Sequence, residues 1–143
     1  MGMTFANTHA NALGWLLDES LGSLSSVRCA VLISSDGLLH SRTADLPQDA
    51  AEKRAAMGSG LLGIAREYGA VSEGGGCRQV LMELEERLCL IGQAGTNMLL
   101  LVETTGPDAD IAVIAGQMEL LARRVGQHMR VADRLPSEHA PRQ

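Results

Sequence analysis

Residues 27–42 decide the fold: Val27-Arg-Cys-Ala-Val-Leu-Ile-Ser-Ser-Asp-Gly-Leu-Leu-His-Ser-Arg42. Val27 to Ser34 is a short apolar run rich in β-branched residues, too brief for a core helix, and it reads as a buried strand. Ser35-Asp36-Gly37 is a turn signal, because glycine accepts positive φ and aspartate bonds back to its own backbone. Leu38 to Arg42 resumes an extended pattern, so the segment predicts a β-hairpin.

Working outward, Leu13, Leu16, Leu17, Leu21 and Leu24 step by three or four on the N-terminal side and predict a helix over about 10–24 with one apolar stripe. Trp15 falls on the other side of that helix, either folded over a neighbouring element or exposed as an anchor for a partner. On the C-terminal side, Asp45 and Pro47 mark the start of a long helix that runs to about Tyr68 before Gly69. Its core stripe is expected at Met57, Leu61, Ile64, Ala65 and Tyr68. A second ridge, Ala51, Ala55, Ser59 and Gly63, is made of small residues. Small residues allow another backbone to come close, so the ridge is expected to pack against its twin in a homodimer.

Beyond the loop Ser72-Glu-Gly-Gly-Gly76, alternating residues in 77–83, then 87–91 and 98–103, predict a three-strand meander with a charged tip at Glu85-Glu86. Gly106-Pro107-Asp108 breaks the chain, with Asp108 as the expected N-cap of a last helix. Ile111, Ile114, Ala115, Met118, Leu121, Ala122, Val125, Met129 and Ala132 mark its apolar face. Arg123, Arg124, Arg130 and Arg134 gather toward its C-terminal half, where they suit the helix dipole. One domain over 10–132 is expected, flanked by flexible segments at 1–9 and 133–143.

The whole chain has 143 residues, 45% hydrophobic and 20% charged, as expected for one soluble domain. Aromatic residues make up only 2%, so a stacking platform for bases is hard to build. A net charge of −5 also argues against a nucleic-acid partner. Three widely spaced cysteines, Cys29, Cys77 and Cys89, suggest reduced thiols and a cytoplasmic setting rather than a disulfide framework. No signal peptide, membrane-spanning run or myristoylation signal is read; Ala6 stands where the last would need Ser or Thr.

Gly58-Ser-Gly-Leu-Leu-Gly63 matches a dinucleotide fingerprint literally but falls in mid-helix, where it cannot cradle a pyrophosphate. The histidines, His9, His40, His128 and His139, lack metal-ligand spacing. No nucleophile elbow surrounds any serine. No catalytic residue, cofactor or metal is therefore expected.

The order of elements, carried by Ala30-Val-Leu-Ile-Ser-Ser-Asp-Gly-Leu-Leu39, Met57-Gly-Ser-Gly-Leu-Leu62 and Met118-Glu-Leu-Leu-Ala-Arg-Arg-Val125, resembles the roadblock/LC7 (dynein light chain, MglB-like) family over about residues 10–132. The resemblance implies a profilin-like α-β-β-α-β-β-β-α sandwich. Five antiparallel strands would carry the long middle helix on one face and the terminal helices on the other. It also implies a homodimer joined through the third strand and the middle helix. On this chain those are Arg78, Val80 and Met82 with the ridge Ala51, Ala55, Ser59 and Gly63. Family members bind small Ras-like GTPases, and the single-domain bacterial ones resembled here are encoded beside such a GTPase and a sensor-kinase-like protein. The expected role is a non-enzymatic adaptor, with Trp15, Lys53, Arg54 and Arg66 as candidate partner contacts. The alternative is a profilin- or PAS-like domain that senses a small molecule, for which the chain shows few polar anchors.

Overall fold

In the computed structural model, which describes residues 11–134 and the side chains of residues 11–130, the hairpin is formed by β1 (Val27–Ser34) and β2 (Leu39–Arg42). Gly37 takes φ +84° in the connecting turn, a conformation that a Cβ would disfavour. The meander follows as β3 (Gln79–Glu83), β4 (Leu88–Ala94) and β5 (Met98–Thr104). All pairings are antiparallel, and the five strands lie in the order β2-β1-β5-β4-β3. β5, the last strand in the chain, thus closes the centre between β1 and β4.

The first helix, α1 (Gly14–Leu17), continues into a π-helical turn at Asp18–Gly22. The long helices are α2 (Gln48–Val71) and α3 (Ile111–Arg134). α3 is capped by Asp110, whose carboxylate accepts the Val113 N–H at 3.3 Å. The cap expected from Asp108 is therefore supplied two residues later. Segment 1–9 and most of 133–143 fall outside the described residues, and α3 extends two residues into the latter.

The sheet has a helical layer on each side. Leu16, Leu17 and Leu21 join Ile114, Met118, Leu121 and Val125 over one face, where Ala30, Leu32, Leu90, Leu100 and Val102 meet them. On the other face, α2 covers Val31, Ile33, Ile91, Leu99 and Leu101. The expected sandwich is the observed one, and so is the stripe of α3 from Ile111 to Met129; Ala132 lies outside the described side chains.

The two faces of α2 reverse the sequence reading. Ala51, Ala55, Gly58 and Leu62 are the residues buried against the sheet. A Cβ on Gly58 would stand 3.0 Å from Leu101 Cδ1 and 3.2 Å from Ile33 Cδ1, so glycine lets the helix lie this close. Ala51 and Ala55 are thus spent inside their own subunit and cannot touch a twin. Farther along, Ser59 lies beside Gly37 of the β1–β2 turn, while Gly63 faces open space. Meanwhile Met57 (60% exposed), Ile64 (70%) and Tyr68 (72%), expected in the core, face outward with Val71.

Candidate functional site

Two surfaces stand out on the α2 side. The first is the outward stripe of α2. Met57, Leu61, Ile64, Tyr68 and Val71 follow one another at intervals of four and three, which places them on one side of a helix. Met57 and Leu61 line a groove together with Met82 and Leu84, so the stripe looks toward β3. β3 is the edge of the sheet, and its outer side carries no strand among the described residues. Val80 and Met82 turn toward α2, half-buried, while Leu81 is exposed on the opposite face. Arg78 lies just outside β3 and is exposed.

The second surface is a charged cluster at the end of the groove. Glu103 is only 8% exposed near the end of β5. Arg54, from the second turn of α2, donates to both of its carboxylate oxygens and also to the Ala50 carbonyl. Arg28 and Arg87 approach Glu103 Oε1 at 3.8 Å each, from β1 and from the start of β4. Arg28 owes its position to a β-bulge: Val27 pairs with Thr104 and Cys29 with Glu103, so Arg28 is an extra residue on its strand. A bulge of this kind re-aims one side chain, here toward the carboxylate. The ion pair ties α2 to the sheet, and the Glu103 hydrogen bonds hold the Arg54 guanidinium even above its ordinary basicity.

Cys29 and Cys89 flank Glu103 on the neighbouring strands, both in register with it. Burial, reinforced by the adjacent carboxylate, pushes their thiols up to about 11 and about 12 respectively. At neutral pH they are packing groups rather than nucleophiles. Cys77, expected in a strand, precedes β3 and is half-buried. Among the described residues no group of three or more His, Cys, Asp or Glu could hold a metal ion, and no helix is long and apolar enough to cross a membrane.

The four residues singled out as partner contacts do not form one surface. Trp15 is exposed on the α1–α3 side, its ring edge-on to His128 with centroids 5.6 Å apart. The ring leans on a neighbouring element, as one of the two expectations had it, and stays 53% exposed. Lys53 and Arg66 are exposed on α2, across the sheet, and Arg66 reaches Gln93 Oε1 at 3.5 Å. Arg54 is the one among them already committed, to Glu103. Sequence reasoning missed Arg28, Arg87 and Glu103, which meet only through strand pairing. The one local signal was a glutamate closing the apolar run Met98 to Val102.

A roadblock/LC7 domain model matches residues 13–104, from α1 to the end of β5. The chain belongs to the roadblock/LC7 family. A crystallised roadblock/LC7 domain from Streptomyces avermitilis shares 34% identity, covering 82% of this chain and 98% of that one, with a TM-score of 0.77. MglB from Myxococcus xanthus has the same fold at 9% identity, covering 84% and 96% of the two chains, with a TM-score of 0.73. An MglB described as having a tetrameric arrangement, 17% identical, covers 83% and 86% at a TM-score of 0.59. No curated protein matches this roadblock/LC7 chain in sequence.

Proposed function

We propose that this roadblock/LC7 domain is a non-enzymatic, homodimeric adaptor that binds a small Ras-like GTPase and modulates its hydrolysis of GTP. The observation that carries the reading is the apolar stripe of α2 beside an unpaired strand edge. Four large side chains facing water along one helix form a patch of the kind that marks a protein contact. An open edge strand is a template for a second chain. A second copy adding its own β3 to this edge would cover both at once. The contact is then read at Val80, Leu81 and Met82 with Met57, Ile64, Tyr68 and Val71, in place of the small ridge.

The fold shared with MglB proteins, one described with a tetrameric arrangement, supports an assembling regulator. If the domain stimulates hydrolysis, it acts by positioning the GTPase's own groups or by presenting an arginine to the developing charge. Arg54 is poorly placed for the latter because its fork is occupied by Glu103.

Light scattering at micromolar concentration tests the assembly, and a dimer is expected. Ile64→Glu with Tyr68→Glu is expected to give a folded monomer, as judged by circular dichroism. A strict monomer in the unmodified protein would overturn the dimer. The GTPase role fails if small Ras-like GTPases from the same organism neither bind this chain nor change their rate of GTP hydrolysis in its presence.

A further inference from the structure

The layer opposite α2 has a groove of its own. α1 and its π-helical turn run antiparallel to α3: Trp15 meets His128, and Glu19 and Ser20 meet Arg124. Leu24 then lines a groove of about 580 Å³ with Leu120 and Leu121, before the chain leaves for β1. The π-helical turn at its margin is a geometry found frequently at functional sites. This groove lies across the sheet from α2, so a dimer formed through α2 and β3 leaves it open on both subunits.

The outer flank of α3 has the spacing of a helix seam. Val113, Gln117, Leu120, Arg124 and Gln127 follow one another by four and three residues, the pattern that meets a second helix. Val113 and Leu120 are half-exposed, and so is Trp15 at the far end against His128. From Val113 to His128 the seam is about 22 Å long, roughly four turns of a partner helix. The described layer is helical throughout, so an extended segment finds no strand edge to join.

Charge on this flank runs against that of the chain. Arg123 and Arg124 line the groove, with Glu19 as the one carboxylate among its described lining residues. Arg124 already holds Glu19 at 3.2 Å. One guanidinium is therefore in excess here, on a protein of net charge −5. A second copy offers Arg123 no spare carboxylate through the same lining, whereas an acidic partner does.

We propose that this groove receives an amphipathic helix of another protein, apolar where it meets Val113, Leu120 and Trp15 and acidic along the margin facing Arg123 and Arg124. Tryptophan and arginine are the side chains that most often carry binding energy at a contact, and here they bracket the apolar seam. The inference needs neither the dimer nor the GTPase.

Trp15 is the one tryptophan of the chain, so its emission reports on this groove and not on the α2 stripe. The probe is a synthetic peptide of about three heptads, with leucine at the two seam positions and glutamate at the flanking ones, titrated into the full chain. Its binding is expected to shift Trp15 emission to the blue. Leu120→Gln and Arg123→Glu should each weaken it by roughly tenfold or more. Both side chains are exposed, and melting of the variants checks that they fold. The Ile64→Glu, Tyr68→Glu variant should bind the peptide as the unmodified protein does, which separates this surface from the subunit contact. A peptide with lysine in place of glutamate should bind weakly, and gain affinity for the Arg123→Glu, Arg124→Glu variant. No shift with the glutamate peptide, equal binding of the lysine peptide, or unchanged affinity in Leu120→Gln would overturn the proposal. A shift on concentrating the protein alone would assign the groove to a second copy. One given by phosphatidylglycerol vesicles and not by the peptide would assign it to a membrane, and either result overturns the helix.

Discussion

The two long helices are each 24 residues and lie on opposite faces of one sheet, yet they use their sequences in opposite ways. α3 turns its large apolar residues inward: Ile114, Met118, Leu121 and Val125 are buried. α2 turns its small ones inward, and Met57, Ile64, Tyr68 and Val71 face away from the sheet. The difference lies in how closely each helix approaches the strands. Where Ala51, Ala55 and Gly58 form the contact, the sheet's own Ile33 and Leu101 supply the bulk. The helix then needs little of its own. Size is therefore not a guide to burial on a helix that sits close, and the large residues left outside become evidence for a further contact.

The strongest test of this contrast compares two substitutions of similar chemistry. Leu121→Ala removes a fully buried side chain from α3 and is expected to cost about 2–5 kcal/mol of unfolding free energy. Ile64→Ala removes a side chain of the same carbon count from the outward face of α2. In chemical denaturation at concentrations where the protein is monomeric, it should change stability by about 0.5 kcal/mol or less. Its effect belongs instead to the dissociation midpoint, on dilution, of the proposed dimer. Equal costs in the monomer would mean that α2 buries its large face after all.

Glycines along α2 sharpen the same point with opposite signs. Gly63 faces open space, so Gly63→Ala should stabilise the helix by up to about 1 kcal/mol and leave the proposed dimer intact. At Gly58 the added methyl would press on Leu101 and Ile33, and Gly58→Ala is expected to destabilise by about 1 kcal/mol, with thermal unfolding as the readout. Loss of dimer in Gly63→Ala would restore the small ridge as a subunit contact.

How much of this was legible in the chain follows from the range of the forces involved. The β1–β2 hairpin, the meander and the stripe of α3 are set by local patterns, and each stands where the residues placed it. Asp110 rather than Asp108 caps α3, a shift of two residues among several acids that could do so. The faces of α2 were not legible, because both stripes have helical spacing and only the depth of the sheet decides between them. The Glu103 cluster was hidden for a related reason. Its members come from four separate elements, and Arg28 reaches it through a bulge that pairing with β5 creates.

The smallest expected effect probes the other layer, where β2 holds α1 to the sheet. The Ser41 hydroxyl accepts the Leu13 N–H at 2.9 Å and lies 2.9 Å from His40 Nδ1. Burial lowers the His40 pKa from its ordinary 6.5. Between the folded and unfolded values the unfolded chain binds more protons, so stability rises with pH there. The contribution is fully present above 6.5 and is lost as pH falls from that point through the folded value. The melting temperature should therefore decline modestly on going from pH 7 into mild acid, and His40→Gln should flatten that decline. Amide exchange should show where the loss falls first: at Leu13 and its neighbours in α1, since the Leu13 N–H is held by the Ser41 hydroxyl beside His40. A decline of equal size in His40→Gln, or loosening that begins in α2, would place the acid sensitivity elsewhere and remove this distinction between the two layers.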